Sequence, residues 1–306
     1  MTVRDAIIIG GGPAGLTAAI YAARARVDTL LIEKTFPGGL MMVSEFIENY
    51  PGFPSGVAGP ELAMAIRDQA ERFGAEILLA EIQSVDLTGR EKAVQTSEGE
   101  FAAKTVILAP GARPRKLGVP GENEFAGRGV SYCATCDGPF FNGKKLAVVG
   151  GGDTAVEDSI YLTRFSDDIT IVHRRDALRA ARIIQERAFA NPHIRILWDS
   201  VVDRIHGNSA VERVSVRNVK TSAVNDLAVD GVFVLIGQDP DTAFLAGQVR
   251  TDDFGYILTD AEMRTNLPGV FAAGDARRKF LRQIVTACAD GAIAAASAEK
   301  YIENLA

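Results

Sequence analysis

The feature that most constrains the fold is a strand–glycine–helix pattern that occurs twice. Residues 5–15, DAIIIGGGPAG, place an apolar run before closely spaced glycines, and the helical pattern LTAAIYAARA follows. Residues 145–155, KLAVVGGGDTA, repeat this arrangement 140 residues later, before VEDSIYLTRF. Glycines in this context let the backbone approach a pyrophosphate, whose charge lies on helix N-terminal amides. The sequence therefore predicts an α/β fold with two Rossmann-like three-layer dinucleotide-binding domains.

The strand after each glycine motif indicates which ribose is bound, because its end faces the adenosine ribose. In the first copy TLLIEK ends near Glu33, whose carboxylate can accept from ribose hydroxyls and suits FAD or NAD. The same count in the second copy reaches His173, which is followed by Arg174 and Arg175, with Arg179 nearby. Guanidinium groups suit a 2′-phosphate, so this copy predicts NADP(H). The alternative is that these arginines form a solvated helix start.

Two Pro- and Gly-rich stretches divide the chain. TVILAPGARPRKLGVPGENE and DGVFVLIGQDPDT each end a strand in turn residues and predict two crossovers. We therefore expect residues 1–114 and 241–306 to form a discontinuous domain and residues 115–240 to be inserted into it. The last segment offers one strand, VFAAG, and one Ala-rich helix, too little for a core of its own, so it must complete the first domain.

Composition excludes several classes of protein. The 306 residues carry a formal net charge of −6, which gives no electrostatic footprint for nucleic acid. No apolar run approaches the roughly 18 residues of a membrane span, and the N-terminus begins as a strand rather than a secretory signal. The chain has 3 cysteines, too few for a secreted disulfide scaffold. We expect a cytoplasmic protein that binds neither nucleic acid nor membrane.

Two of the cysteines lie in SYCATCDGPF, at Cys133 and Cys136. Such a pair can bind zinc, exchange electrons as a dithiol and disulfide, or simply pack. Zinc needs further ligands, but Cys288 stands alone and the histidines are dispersed, so no metal site is predicted. Cys288 is interpreted as a buried helix residue. A redox pair fits better, because a helix start stabilises a thiolate. Asp137, which follows directly, can act as general acid and base or cap the helix start.

The motifs together resemble the low-molecular-weight thioredoxin reductase family across nearly the whole chain. GGGPAG, ENYPGF, CATCDG, GGGDTA, HRRDALR and FAAGD…LRQ occur in the family's order. The resemblance implies a homodimeric thioredoxin-disulfide reductase with FAD in the discontinuous domain and NADPH in the insert. Thioredoxin or a thioredoxin-like small protein would be the partner. It also implies that Cys136 faces the flavin and that Cys133 exchanges with the substrate. With Asp137, these two cysteines are the predicted catalytic residues.

The resemblance carries further residues to matching positions. Those implied to bind FAD are Gly10, Gly12, Pro13, Ala14, Gly15, Glu33, Lys34, Gly39, Leu40, Asn49, Gly274, Asp275, Arg282, Gln283 and Ile284. Those implied to bind NADPH are Gly152, Asp153, Thr154, His173, Arg174, Arg175, Arg179 and Gly237. Those implied or suggested to contact the partner are Arg128, Phe140 and Phe141. Leu40, Pro110 and Gln238 depart from the residues most frequent in the family.

The reaction implied by the family requires movement, because the dithiol and the NADPH site share the insert while the flavin belongs to the other domain. We expect the insert to rotate about the crossovers near Pro114 and Pro240. The main alternative function is a flavin-dependent reductase or oxidase of another small protein or of a small-molecule disulfide or dithiol. A nucleotide- or redox-sensing module would use the same sites without turnover.

Overall fold

The structure is a computed structural model that describes residues 3–44, 47 and 49–305. The chain forms two units, one of residues 1–113 with 239–306 and one of residues 114–238. The sequence placed the corresponding boundaries after residues 114 and 240.

The elements follow one another in the order of the chain. The strands are β1 (Val3–Ile9), β2 (Thr29–Glu33), β3 (Glu76–Leu79), β4 (Ile82–Asp86), β5 (Lys92–Thr96), β6 (Gly99–Leu108), β7 (Ala112–Pro114), β8 (Val130–Ser131), β9 (Lys145–Gly150), β10 (Asp168–Val172), β11 (Ile194–Leu197), β12 (Ser200–Gly207), β13 (Val211–Asn218), β14 (Val224–Ala228), β15 (Gly231–Leu235), β16 (Gln238–Pro240) and β17 (Val270–Ala272). The helices are α1 (Pro13–Arg24), α2 (Gly59–Arg72), α3 (Ala134–Asp137), α4 (Asp153–Leu162), α5 (Arg182–Phe189) and α6 (Ile284–Glu303). Short 3-10 turns occur at Gly39–Val43, Gly138–Phe141, Ala243–Leu245 and Gly274–Ala276.

The larger unit is built on a mixed sheet. Its parallel part has the order β3-β2-β1-β6, and β17 continues it beside the end of β6. β5 and β4 extend the sheet antiparallel along the first half of β6. Ile7 and Ile9 point into one core and Ile8 into the other, so the apolar run of β1 is buried on both faces, as expected for a parallel strand. α1 and α6 pack together over one of these faces.

The smaller unit repeats this architecture. Its parallel sheet has the order β11-β10-β9-β15-β8, and a separate antiparallel sheet has the order β12-β13-β14. α3 and α4 lie on one side of the parallel sheet, and the antiparallel sheet shares the core on the other side. The predicted fold class, two Rossmann-like α/β units, is confirmed. β7 and β16, which contain the two crossovers, pair with each other.

The first glycine motif forms the tight turn between β1 and α1. Pro13 opens the helix, where its missing N–H costs nothing. A side chain at Gly15 would place its Cβ 1.8 Å from the carbonyl oxygen of Gly10, so the turn requires glycine there. In the part of the chain that the structure describes, no helix combines the length and apolar character needed to cross a membrane.

Candidate active site and nucleotide sites

Cys133 and Cys136 form a disulfide, with their Cα atoms 5.3 Å apart. Cys133 is the residue before α3, and its Sγ accepts the backbone N–H of Cys136 at 3.2 Å. The Sγ of Cys133 also lies 3.5 Å from the hydroxyl of Thr135. Both cysteines are half-buried, and no group of residues suited to hold a metal ion occurs among residues 3–44, 47 and 49–305. The pair therefore has the covalent state and accessibility of an exchangeable disulfide.

Asp137, at the end of α3, is tied back to the strand that precedes the disulfide. The hydroxyl of Ser131 donates to Oδ2 of Asp137 at 2.6 Å and accepts the N–H of Cys133 at 3.1 Å. The N–H of Asp137 in turn donates to the carbonyl of Cys133 at 3.1 Å. These bonds place a carboxylate and a disulfide on one short, closed piece of backbone.

The buried carboxylate of Glu122 anchors Tyr132, the residue directly before Cys133. Glu122 is 1% exposed and accepts from the backbone N–H groups of Leu117 and Gly118 at 2.8 and 2.7 Å. It also accepts from the hydroxyl of Tyr132 at 3.1 Å. Burial, with the charge of Glu122, raises the pKa of Tyr132 to about 12, so this hydroxyl stays a donor. Glu122 thus joins the segment after β7 to Tyr132, which lies between β8 and Cys133.

The first glycine loop presents an open face. Among the described residues, a Cβ at Gly12 would meet nothing within 4 Å, and no side chain caps the start of α1. Glu33, predicted to accept from ribose hydroxyls, accepts from the N–H of Gly11 at 2.7 Å and from the N–H of Thr35 at 3.1 Å. Its carboxylate is therefore oriented at the loop by backbone donors.

A second carboxylate of this unit is buried without a hydrogen bond on one oxygen. Oδ1 of Asp275 is buried and has no hydrogen-bond partner among the described residues; its ion-pair partner Lys279 lies 3.9 Å away, beyond hydrogen-bond distance. Burial raises the pKa of Asp275, and the nearby Lys279 and Arg282 oppose that shift. A buried polar atom of this kind needs a partner, so Asp275 has the geometry of a ligand contact.

The residues around Asp275 form a charged cluster that the sequence did not predict. Asp290 is 6% exposed and accepts from Arg277 at 2.8 Å, from Lys279 at 2.8 Å and from the N–H of Gly274 at 3.1 Å. A single aspartate within the apolar run of ACADGAIAAA was the available signal, since a buried charge requires partners. Through Gly274, this cluster fixes the backbone next to Asp275.

At the start of α6, predicted flavin residues contact one another. Asn49 Nδ2 donates to Gln283 at 3.0 Å, and Gln283 forms a reciprocal capping box with Thr286. The guanidinium of Arg282 lies 4.1 Å from the ring centroid of Tyr256. Ile284 is the first residue of the helix.

In the second glycine loop, His173 acts as an internal link. Its ring is 5% exposed; Nδ1 lies 2.8 Å from the carbonyl oxygen of Gly150 and Nε2 lies 3.0 Å from that of Ala177. Gly151 leaves the space for this ring, because a Cβ there would lie 2.1 Å from Nδ1. The imidazole therefore holds the segment after β10 against the glycine loop. Direct contact of His173 with NADPH stays a prediction.

The segment held by His173 carries exposed arginines. Arg174, Arg175 and Arg179 are exposed, and in the described part of the chain their guanidinium groups have no hydrogen-bond or ion-pair partner. The N–H of Arg179 donates to the carbonyl of Gly151 at 2.7 Å, and its Nη2 lies 4.0 Å from the Cβ position of Gly152. Arg179 thus lies beside the loop, and Arg174 and Arg175 are exposed on the segment that leads to it.

Comparisons with known proteins agree with this geometry. Residues 4–291 match the pyridine nucleotide-disulphide oxidoreductase family. The chain is 50% identical over 307 residues to a thioredoxin reductase of Peptoclostridium acidaminophilum, covering 98% of each chain. It is 50% identical to that of Bacillus subtilis, covering 99% of this chain and 96% of the relative. The crystal structure of thioredoxin reductase from Streptococcus pyogenes superposes with a TM-score of 0.91 at 50% identity, covering 99% of both chains.

The chain belongs to the thioredoxin reductase family of pyridine nucleotide-disulphide oxidoreductases. It is a flavoprotein oxidoreductase, and the family implies a flavin and a nicotinamide cofactor. The residues present fit both groups. The buried Oδ1 of Asp275 and the open face at Gly12 suit the flavin nucleotide, and the guanidinium of Arg179, whose Nη2 lies 4.0 Å from the Cβ position of Gly152, suits the nicotinamide nucleotide.

The remaining predicted residues take varied positions. Lys34 pairs with Glu81 at 2.6 Å on the surface, and Leu40 is 49% exposed in the turn that begins at Gly39. Asp153 Oδ1 accepts the N–H of Ala181 at 2.6 Å, just before α5. Other predicted positions lie in loops or at helix starts: Gly10, Pro13, Ala14, Thr154 and Gly237. The motif ENYPGF includes residue 48, which lies outside the described residues.

Cys288 differs from the sequence expectation. It lies in α6 as predicted, but it is half-buried rather than buried. Its Sγ is 3.8 Å from the hydroxyl of Tyr50 and 3.8 Å from the carbonyl of Pro13. The spacing of α6 against α1 leaves this position at the edge of the core, which periodicity in an Ala-rich helix does not reveal.

Proposed function

We propose that this chain is a thioredoxin-disulfide reductase that uses NADPH and FAD. The observation that supports it most is the Cys133–Cys136 disulfide beside Asp137 in a chain with two open dinucleotide loops. When bound, the two nucleotides supply the electron pair that reduces this disulfide. If the cysteine pair bound zinc or simply packed, the chain would have no evident need for two dinucleotide-binding glycine loops.

The dithiol then reduces the partner by two exchanges. The Cys133 thiolate attacks one sulfur of the thioredoxin disulfide, forms a mixed disulfide and releases the other sulfur as a thiolate. The Cys136 thiolate attacks Sγ of Cys133, which releases the second thioredoxin sulfur and restores the Cys133–Cys136 disulfide. Asp137 removes the proton from the attacking thiol and protonates a leaving thiolate. Two electrons and two protons pass to thioredoxin, so the exchange balances.

The proposed cofactor residues are those that the family resemblance implies. On the flavin side Asp275 would accept a hydrogen bond from a hydroxyl of the ribityl chain, and Glu33 would accept hydrogen bonds from the adenosine ribose hydroxyls. On the nicotinamide side, the 2′-phosphate of NADPH would be bound by Arg174, Arg175 and Arg179. One guanidinium group can donate two parallel hydrogen bonds to phosphate oxygens.

The proposed partner surface lies around the dithiol. Phe140 is 50% exposed, whereas the ring of Phe141 packs against that of Phe233 at 5.1 Å. Arg128 donates to the carbonyl of Ser209 at 3.4 Å and to that of Glu124, and it lies over the ring of Phe125. Phe140 therefore offers more surface to thioredoxin than Phe141. The guanidinium of Arg128 is held by two backbone carbonyls and the ring of Phe125.

Three further proposals go with this function: a homodimer, a cytoplasmic location and rotation of the inserted unit during turnover. Sedimentation of the purified protein tests the first. An engineered crosslink between residues 1–113 and 114–238 tests the third, since locked protein should lose turnover and regain it on release.

The function is tested by mixing the FAD-loaded protein with NADPH and oxidised thioredoxin and following absorbance at 340 nm. We expect NADPH oxidation that depends on thioredoxin and yields free thiols in equal amount. Oxygen consumption with a small dithiol in the absence of NADPH would instead support the oxidase alternative. Binding of both nucleotides without turnover toward any disulfide would support a sensing module.

A further inference from the structure

Ser131 is a buried hydroxyl next to the disulfide that the proposed reaction does not use. It is the last residue of β8, two positions before Cys133, and it is 3% exposed. Its Oγ lies 2.6 Å from Oδ2 of Asp137, 3.1 Å from the N of Cys133 and 3.3 Å from the carbonyl oxygen of Cys133. A hydroxyl can donate only one hydrogen bond. The carboxylate of Asp137 is closer than the carbonyl and is charged, so the hydroxyl donates to Asp137.

The hydrogen bond from Ser131 orients the carboxylate of Asp137, which the proposed exchange uses as its general base. A general base has to lie within hydrogen-bond reach of the proton it takes, and a carboxylate on a short side chain can otherwise rotate away. A donor at 2.6 Å holds Oδ2 of Asp137 in place. Donation to a carboxylate also favours its ionised form, which is the form that acts as a base.

Oγ of Ser131 also holds the backbone of Cys133 in place. Because Ser131 Oγ also accepts the N–H of Cys133, one atom links the carboxylate to the residue that attacks the substrate. The Ser131 side chain is nearly closed to solvent, so removal of its hydroxyl leaves the N–H of Cys133 and Oδ2 of Asp137 each without this partner.

We propose that Ser131 is a positioning residue of the dithiol exchange, holding the carboxylate of Asp137 and the backbone of Cys133 in one arrangement. The inference rests on the proposed function and deepens it. Ser131 acts through Asp137, so its effect belongs to the exchange with thioredoxin and not to reduction of the flavin.

The test compares Ser131→Ala with wild type. We expect kcat with thioredoxin to fall roughly tenfold at pH 7, about the effect of one charge-assisted hydrogen bond. We expect the KM for thioredoxin and the rate of flavin reduction by NADPH to stay at wild-type values. The acidic limb of the kcat profile should move to higher pH, because the ionised form of Asp137 loses a donor. Ser131→Thr should restore both the rate and the profile.

Two controls separate positioning from structure. Ser159 is a fully buried serine of the same unit, whose hydroxyl donates to the carbonyl of Ala155 at 2.7 Å, so Ser159→Ala removes a buried hydroxyl far from Asp137 in the sequence. It should leave kcat unchanged. In an Asp137→Asn background, Ser131→Ala should cause no further loss. If Ser131→Ala does not fold, the comparison of Ser131→Thr with Ser131→Val isolates the hydroxyl at equal volume.

The outcomes are distinct. A wild-type rate and pH profile in Ser131→Ala would overturn the inference, and so would an equal loss in the Asp137→Asn background. Failure of wild-type protein to reduce thioredoxin would instead overturn the proposed function. Loss of flavin reduction in Ser131→Ala would show that the hydroxyl serves general stability, against the inference.

Discussion

The backbone N–H of Cys136 donates to the Sγ of Cys133 at 3.2 Å. In the reduced protein this donor would stabilise a thiolate on Cys133 and not on Cys136. We therefore expect Cys133 to react with iodoacetamide about ten times faster than Cys136 at pH 6.5, the effect of about 1.4 kcal/mol on the thiolate population. Peptide mass spectrometry after brief labelling measures the two rates. Faster labelling of Cys136 would contradict this ordering of the sulfurs.

The sequence predicted the parts of the molecule whose pattern is local. The glycine loops, their strands and helices, and the VFAAG strand with its Ala-rich helix follow from apolar periodicity and turn residues read over ten to twenty positions. The arginines after His173 were found by counting from the glycine motif. Each of these features depends on neighbours in the chain, so a single sequence contains the information.

The contacts that the sequence did not predict depend on how chain segments meet. Ser131 and Asp137 come together because the chain turns from β8 into α3, and no periodicity specifies that turn. Asp290 reaches Arg277 and Lys279 only after α6 has packed on the sheet. The ring of His173 was predicted to meet a nucleotide, yet both its nitrogens contact backbone carbonyls.

Cofactor preference provides a second prediction. Arg174 and Arg175 are exposed and unpaired within the described residues, as a phosphate site requires. We expect Arg175→Ala to raise the KM for NADPH at least tenfold while the KM for NADH changes less than twofold, because only NADPH carries the 2′-phosphate. Initial rates with each nucleotide measure the effect. Arg187→Ala, an exposed arginine of α5, is the matched control.

An equal rise in KM for both nucleotides would show that Arg175 contacts a part that NADPH and NADH share, and not the 2′-phosphate. Unchanged values for both would remove it from the site.

Asp158 predicts a pH dependence of stability. Burial, with a smaller contribution from Glu157, raises the pKa of Asp158 to about 6, against 3.8 for an ordinary aspartate. The native state therefore holds this proton more tightly, so the stabilisation is complete below about pH 4 and is lost as the pH rises through about 6. We expect Asp158→Asn to raise the free energy of unfolding by roughly 2 kcal/mol at pH 8 and to change it little at pH 4.

Urea denaturation at the two pH values measures this difference. Asp253→Asn, at an exposed position, should show no pH-dependent gain. A gain for Asp158→Asn that is the same at pH 4 and pH 8 would contradict the assignment of the effect to its charge.

The anchor formed by Glu122 predicts a loss of stability. Its carboxylate is buried and accepts from Tyr132 at 3.1 Å, so Tyr132→Phe leaves a buried charge with one donor fewer. We expect Tyr132→Phe to lower the free energy of unfolding by about 1–2 kcal/mol. Tyr161→Phe is the control, because among the described residues the hydroxyl of Tyr161 has no hydrogen-bond partner. Equal effects of the two substitutions in urea denaturation would refute a specific role for the anchor.

The central claim is that electrons leave the protein through the Cys133–Cys136 disulfide. The most direct measurement is NADPH oxidation by the FAD-loaded protein with thioredoxin, comparing wild type with Cys136→Ser, with flavin bleaching followed in the same samples. The account predicts that Cys136→Ser still bleaches its flavin with NADPH but loses reduction of thioredoxin. Full thioredoxin reduction by Cys136→Ser would contradict it.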